Sequence, residues 1–353
     1  MSEKRKRCVL HVGAGLTGAS VFQSVCERAR HELAVDDVDY PPDPREQECD
    51  RETETGNAIC LRNYLLNPRP ESFAAQANKR MAWMQIAASS ARTLVLSDDA
   101  LHKAPVERLK ELRAHLSAHG RSVEVVFVLR EATSHAVAAY GRLVRDQGLR
   151  QSFSEFVFGH KPPFFASAER LALAFGRENI RPVIYSADPR ETAGAIFDRI
   201  GVDAPAALAA GADREPQTGA RALALLRALN ALSDNPKVRK RVAAALLRDT
   251  PSGAEDGVAR ASLPAAALDR FRADAHAIAA LLFNREAPAL EPLTTAPAAL
   301  MRPYDVDPMT ERALEAAVAG WTAAFAARPE PRLRRGLSSA ARLVGRRFGF
   351  GQS

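Results

Sequence analysis

The stretch Cys8–Gln23, CVLHVGAGLTGASVFQ, decides the fold, because an apolar strand pattern runs directly into glycines that open a helical pattern. A strand, a glycine loop and a helix N-terminus in this order form a phosphate-binding shape. The spacing of Gly13, Gly15 and Gly18 spells G-x-G-x-x-G, the dinucleotide fingerprint. A Walker-type loop is the second interpretation, since Gly13 to Ser20 spells G-x-x-x-x-G-x-S and lacks only a lysine at Ala19.

The dinucleotide interpretation needs an acidic residue about 20 positions after the glycines, at the end of a second strand, to hold a ribose. Asp36, Asp37 and Asp39 lie in that region. The segment that carries them, AVDDVD, runs directly into YPPDP and is a weak strand pattern. The whole of Glu32 to Glu71 is rich in proline and acids, which indicates a long surface excursion.

Four apolar segments read as strands, separated by helical patterns. They are Cys8–Val12, Thr93–Leu96, Glu124–Leu129 and Ile180–Tyr185. The third is apolar on both alternations, as in a parallel strand covered by helices on both faces. Helical patterns cover Thr17–Arg28, Ala74–Ala88, Ser134–Asp146 and Arg190–Ile200, and the pattern is helix only from about residue 215. The sequence therefore predicts a three-layer α/β fold with about four to five parallel strands and a helical C-terminal extension.

Composition narrows the class of protein. The 353 residues are 46% hydrophobic and 26% charged, as in a soluble globular protein, and no apolar run approaches the ~18 residues of a membrane span. The basic start, MSEKRKR, precedes a short apolar run without a cleavage site, so we expect a cytoplasmic protein. The four cysteines show no C-x-x-C spacing, which argues against a metal site.

The net charge of +7 comes largely from the C-terminal end. Residues 331–353 contain six arginines and no acid, so the remaining body is nearly neutral and a duplex nucleic-acid binder is not expected. Leu337, Ala341, Val344 and Phe348 follow one side of a helical pattern among these arginines. This pattern fits a helix in peripheral contact with an anionic membrane surface. A disordered basic tail is the alternative that the sequence favours, because glycines interrupt the helical pattern.

A third interpretation of the glycine loop comes from family resemblance. The chain resembles the bacterial sulfotransferase family, in which a strand with His and Gly precedes a loop of the type K-T-G-T-S and a helix with Gln. The residues in register are His11, Gly13, Thr17, Gly18, Ser20 and Gln23, while Leu16 occupies the lysine position and Ala19 the second hydroxyl position. Further segments follow in the family order: LVLSDD at Leu94–Asp99, VFVLREATSHAVAAY at Val126–Tyr140, FGRENIRPVIY at Phe175–Tyr185 and LLFNREA at Leu281–Ala287.

The resemblance implies a P-loop NTPase-like sulfotransferase domain over residues 1–285, followed by a linker and helix at 286–330 and the basic tail at 331–353. It implies transfer of a sulfuryl group from 3′-phosphoadenosine 5′-phosphosulfate to a hydroxyl of a carbohydrate or related acceptor, without a metal. The implied cofactor-binding residues are Gly15, Leu16, Thr17, Gly18, Ala19, Ser20, Arg130 and Ser134. In that set Arg130 matches the arginine that holds the 3′-phosphate, and an ion pair of Arg130 with Glu131 or Asp146 is the alternative. The family's serine falls at Ala138, and Ser134 is our hypothesis for its partial replacement, because it lies one turn earlier on the same helix face.

Asp99 matches the acidic position of the family and is the candidate base for the acceptor hydroxyl. Asp98 and His102 are alternatives, and either aspartate could instead cap the following helix. The missing loop cation could come from Lys79, Arg80 or Lys103. The sequence favours an enzyme. A relative that binds a nucleotide or glycan without transfer is the alternative, because the loop lysine and the helix serine are both absent. A second alternative is an NAD- or FAD-dependent oxidoreductase with a Rossmann fold, which follows from the dinucleotide interpretation of the glycines.

Overall fold

The computed structural model describes residues 6–45, 56–186, 188–209 and 265–283, together with positions 223, 226, 227 and 230. The basic tail and the segment 286–330 lie outside these residues, so the sequence-based domain boundaries and the tail helix stay predictions. None of the helices in the described part is both long and apolar enough to cross a bilayer.

A parallel five-stranded sheet forms the centre of the fold, with strand order β2-β3-β1-β4-β5. Its strands are β1 Arg7–Gly13, β2 Val38–Asp39, β3 Thr93–Ser97, β4 Ser122–Leu129 and β5 Ile180–Ile184. The glycine-loop strand β1 is central, and its His11 pairs in register with Ser97 on β3 and Val126 on β4. The prediction of a parallel α/β fold is confirmed, and the two-residue strand β2 adds the fifth member.

Helices cover both faces of this sheet, because alternate side chains of each strand point to opposite faces. One face of β1 carries Cys8, Leu10 and Val12, which join a large apolar core. The helices that contribute to this core are α3 Ile59–Leu65, α4 Phe73–Ala88, α5 Val106–Ala118, α8 Phe164–Phe175 and α11 Ala265–Leu282. On the other face Val9 packs with residues of α1 Ala19–Arg28, α2 Arg30–Val35 and α9 Pro189–Ile200. The result is the predicted three-layer arrangement.

Contacts divide the chain into two compact units. The first comprises residues 1–135, 162–214 and 269–296, and it contains the sheet and the glycine loop. The second comprises residues 136–161, 215–268 and 297–353. Within the second unit Tyr140 packs edge-on against Phe153 of α7 Phe153–Gly159, and the Asn230 amide donates to the Val144 carbonyl at 2.8 Å.

The remaining elements are α6 Ala132–Arg142, a π-helical turn Leu143–Gln147, the short α10 Ala206–Ala209, and two 3₁₀ turns at Asp99–Lys103 and Arg177–Asn179. The structure corrects one expectation, that Glu32 to Glu71 is a surface excursion throughout. Residues 46–55 lie outside the described part, but Cys60, Leu61 and Tyr64 of α3 are fully buried. The apolar residues that follow the acidic run therefore belong to the core.

Strand order also tests the dinucleotide interpretation. In the dinucleotide-binding fold the strand that follows the glycine-loop helix lies directly beside β1, which brings its terminal acid to the ribose. Here β3 lies between β1 and β2, so Asp39 at the end of β2 is one strand removed from the loop strand. Asp37 instead accepts a hydrogen bond from the Arg92 backbone N–H at 3.0 Å. The topology therefore differs from that of a dinucleotide site.

Candidate functional site

The glycine loop follows β1 and turns by means of three left-handed residues. The φ angles are 71° at Gly15, 58° at Leu16 and 75° at Gly18. Glycine adopts this conformation without penalty, whereas a leucine pays roughly 1 kcal/mol for it. Strain of this kind persists where the surrounding structure enforces it, and it collects at functional sites.

The helix after the loop begins without a side-chain cap. Gly18 is the N-cap residue of α1, and as a glycine it provides no side-chain cap. The first backbone N–H groups of a helix and the helix dipole attract an anion. Ala19 is buried and Ser20 is exposed, so the loop presents backbone rather than charge.

Thr17 is a buried polar residue of the loop. Its side chain is 1% exposed, and its Oγ1 has no hydrogen-bond partner among the described residues. A Cβ added to Gly13 would collide with this hydroxyl, so the glycine makes room for the threonine. A buried hydroxyl left without a partner costs roughly 1–3 kcal/mol.

Arg130 lies on one side of the loop. It follows β4, the neighbour of β1, and its Nη1 donates to the carbonyl oxygen of Leu16. Its Nε donates to the Ser134 Oγ at 2.9 Å, and its Cζ lies 4.4 Å from the centre of the Tyr185 ring. The guanidinium is thus held by a carbonyl oxygen, a hydroxyl oxygen and an aromatic ring. Its distance from the Tyr185 ring is typical of a cation–π contact.

Ser134 is oriented by the start of its own helix. The Glu131 carboxylate accepts the backbone N–H groups of Thr133 and Ser134, which caps α6. Burial raises the pKa of Glu131, while these two hydrogen bonds and Arg130 lower it. The structure therefore brings Arg130 and Ser134 together, and it leaves Glu131 with a capping role beside them.

Asp99 lies on the opposite side of the loop, at the end of β3. A Cβ added to Gly15 would be 3.7 Å from Asp99 Oδ2, which places this carboxylate directly against the glycines. The loop is consequently flanked by a cation after β4 and a carboxylate after β3.

The structure separates Asp99 from the alternatives that the sequence left open. Asp98 is the capping residue: it is 1% exposed, accepts from the Ala100 N–H at 2.8 Å and lies 3.3 Å from Arg62 Nη1. His102 is also buried, with its Nδ1 2.6 Å from the Asp99 carbonyl oxygen, and desolvation by burial lowers its pKa. Of the three, Asp99 is the half-exposed residue that faces the loop.

A buried polar cluster links β1 to β3 beneath the glycine loop, through His11, Ser97, Gln23 and Asn57. His11 is fully buried, and its Nδ1 lies 2.7 Å from the Ser97 Oγ, which also accepts from the Gln23 amide at 2.9 Å. Asn57 donates to the Val95 carbonyl and accepts from the Ser97 N–H. The family-matched His11 and Gln23 are therefore interior residues that fix the ends of β1 and β3.

Of the predicted substitute cations, Lys79 and Arg80 lie on α4, and Lys103 is an exposed residue of the 3₁₀ turn Asp99–Lys103. Lys79 forms an ion pair with Glu111 at 2.7 Å. Lys79 and Arg80 both line a groove of about 430 Å³ with Trp83 and His115, on α4 and α5. Arg130, by contrast, contacts the loop directly through the Leu16 carbonyl oxygen.

Tyr185 contacts the site, but the sequence analysis predicts it only as the end of a strand and not as a site residue. It follows β5, and a Cβ on Gly18 would lie 3.3 Å from its Cε2, so the ring spans from Gly18 to Arg130. The signal was present, since Tyr185 closes the strand segment after β4 and ligands bind at the carboxyl ends of parallel strands. No three His, Cys, Asp or Glu residues of the described part are grouped to hold a metal ion.

Fold and site together define a P-loop-like α/β protein whose glycine loop lies between the first strand and the uncapped start of α1. Comparison with known proteins adds one structural likeness, to a crystal structure of a sulfotransferase from Alicyclobacillus acidocaldarius. That structure is 17% identical, with a TM-score of 0.35, over 70% of this chain and 98% of the other. No protein-family model and no curated protein matches the chain.

Proposed function

We propose that this protein is a sulfotransferase that moves a sulfuryl group from 3′-phosphoadenosine 5′-phosphosulfate to a hydroxyl of a carbohydrate or related acceptor. The observation that carries the proposal is the flanked loop: an uncapped helix start and an unpartnered Thr17 hydroxyl, with Arg130 on one side and Asp99 on the other. Sequence matches to the sulfotransferase family at the same positions support the choice of donor.

In the proposed reaction the loop N–H groups of Gly18, Ala19 and Ser20 hold the 5′-phosphosulfate at the start of α1. Asp99 accepts the proton of the acceptor hydroxyl, and the hydroxyl oxygen forms a bond to sulfur. The bond between sulfur and the bridging oxygen breaks, and its electron pair stays on the departing phosphate. Stabilising that developing charge is the task of the loop N–H groups and of Arg130, and loss of one such preorganised group commonly costs 10²–10³ in rate.

A second candidate is a relative that binds a nucleotide or glycan without transfer. Leu16 favours it, because a leucine at the centre of the loop brings no charge to the leaving group. The two candidates differ in one measurable quantity, the rate of sulfuryl transfer to an acceptor at saturating donor. The cytoplasmic location is likewise part of the proposal, supported by the buried thiols of Cys8 and Cys26, which are not in disulfides.

The test is calorimetric titration of the purified chain with adenosine 3′,5′-bisphosphate, the product of the donor. We expect binding in the micromolar range that is at least 10-fold weaker in Arg130→Ala. Arg28→Ala is the matched control, since Arg28 is an exposed arginine at the opposite end of α1. Binding of NAD in place of the bisphosphate would contradict the proposal. A bisphosphate complex without transfer to any hydroxylated acceptor would favour the second candidate.

A further inference from the structure

The loop of this protein has no charged side chain of its own. Residues 14–20 read AGLTGAS, and the central position is Leu16. An anion at the start of α1 therefore meets backbone dipoles and the exposed Ser20 rather than a charged side chain. A full positive charge at the loop must come from another element of the fold.

Arg130 brings that charge from the end of β4. Its Nη1 donates to the carbonyl oxygen of Leu16. This hydrogen bond holds the guanidinium at Leu16, the loop position where the family has a lysine. Leu16 has a left-handed backbone, and this turn directs its carbonyl to the arginine rather than into a regular strand or helix hydrogen bond. The two residues are 114 positions apart in sequence, so the contact depends on the β4 strand lying beside β1.

Two further contacts hold the guanidinium in this place. Ser134 accepts from Nε at 2.9 Å, one helical turn after the arginine. Tyr185 stacks its ring on the guanidinium and lies against Gly18 at the same time. The arginine is thereby aligned with the Leu16–Gly18 part of the loop, where the backbone cradle of α1 begins.

We infer that Arg130 serves as the loop cation of this protein and recognises the 5′-phosphate or phosphosulfate group of the nucleotide. This inference rests on the proposed function. It differs from the role that family resemblance implies for this arginine, which is to hold the 3′-phosphate. Tyr185 acts as a positioning residue, because it touches Arg130 and the loop and keeps the guanidinium over the cradle.

The experiment separates the two phosphate groups with three ligands: adenosine 3′,5′-bisphosphate, adenosine 5′-monophosphate and adenosine 3′-monophosphate. Arg130→Gln is the main variant, since glutamine keeps a hydrogen-bonding side chain and removes the charge. We expect it to weaken binding of the bisphosphate and of the 5′-monophosphate by the same factor, about 10-fold or more. Binding of the 3′-monophosphate should equal that of the parent chain.

A rescue variant tests the same point from the loop side. Lysine and leucine make the same demand on a left-handed backbone, so Leu16→Lys adds a charge without a new conformational cost. In the Arg130→Gln background it should restore most of the lost affinity for the 5′-monophosphate. Tyr185→Leu should weaken 5′-monophosphate binding, whereas Tyr185→Phe, which keeps the ring, should not. These two variants leave Arg130 in place and therefore test the inference even where Arg130→Gln fails to fold.

The outcomes are distinct. A loss confined to ligands with a 3′-phosphate would overturn the inference and leave the proposed function standing. Unchanged affinity for the 5′-monophosphate in both Arg130→Gln and Tyr185→Leu would overturn it as well. Failure of the parent chain to bind any of the three nucleotides would overturn the proposed function and this inference with it.

Discussion

Mild acid should lower the free energy of unfolding of this protein, because His11 takes up a proton in the unfolded chain and stays neutral in the folded state. The ring lies in the central strand β1 and is fully buried, with Phe22 packed edge-on at a centroid distance of 4.6 Å. Nδ1 contacts the Ser97 hydroxyl, and Nε2 has no hydrogen-bond partner among the described residues. Burial lowers the pKa of His11 to about 3 from an ordinary value of 6.5.

The sign and the size follow from proton linkage. The folded state keeps His11 neutral down to about pH 4, while the unfolded chain takes up a proton below pH 6.5. The free energy of unfolding is therefore highest above pH 6.5, and it decreases as the pH falls from 6.5 toward the folded-state pKa. At pH 5 the unfolded histidine is protonated in a ratio of about 30 to 1, which lowers the free energy of unfolding by about 2 kcal/mol.

The assay is urea unfolding at pH 7.5 and pH 5.0 for the parent chain and for His11→Gln. The quantity of interest is the change in free energy of unfolding between the two pH values, since each chain serves as its own reference at pH 7.5. We expect that change to be about 2 kcal/mol smaller in His11→Gln. Contributions of other buried groups, such as His102, are common to both chains and cancel in the comparison. His31→Gln, at an exposed position on α2, should behave like the parent chain.

An equal pH dependence in the parent chain and in His11→Gln would refute this reasoning. It would mean that the ring accepts its proton in the folded state, which requires an acceptor at Nε2. The polar cluster of His11, Ser97 and Gln23 would then be a proton-binding site rather than an interior support for the loop strand.

Three further predictions concern Gly13 of the loop and the two aspartates that follow β3. Gly13→Ala should lower the free energy of unfolding by about 1–3 kcal/mol in a urea titration, because the added Cβ collides with Thr17, and adding Thr17→Ala should recover most of the loss. Asp98→Ala should cost about 3 kcal/mol through the lost cap and the lost Arg62 pair, with thermal unfolding as the readout. Asp99→Ala should change stability by less than about 1 kcal/mol and abolish sulfuryl transfer, so equal stability losses in the two alanine variants would contradict the assignment of their roles.

The sequence predicts the layers of this fold well, because a parallel sheet buried on both faces leaves continuous apolar runs. Four of the five strands fall within two residues of the predicted bounds at each end, including Thr93–Ser97 and Ile180–Ile184. The fifth, Val38–Asp39, is two residues long and ends in an acid, so its pairing with β3 has almost no local signal. Its position depends on the tertiary contact alone.

The predicted helix boundaries are wrong where the backbone is strained or irregular. The pattern predicts a helix from Thr17, but α1 begins at Ala19 because Leu16 and Gly18 are left-handed. The predicted helix to Asp146 ends at Arg142 and continues as a π-helical turn, which the apolar spacing cannot distinguish from an α-helix. A leucine in a left-handed conformation contradicts its own preference, so local rules cannot predict it.

The sequence predicts the individual residues of the candidate site, but it does not predict which of them lie next to one another. Each of Thr17, Asp99 and Arg130 follows a predicted strand, and a parallel sheet brings all such residues to one edge. Which of them are neighbours depends on strand order, and no pattern in the sequence shows that β1 lies between β3 and β4. That order places the carboxylate and the arginine on opposite sides of the glycine loop. The same order lets an arginine 114 residues away bind the Leu16 carbonyl, so the loop gains through topology the charge that its own sequence lacks.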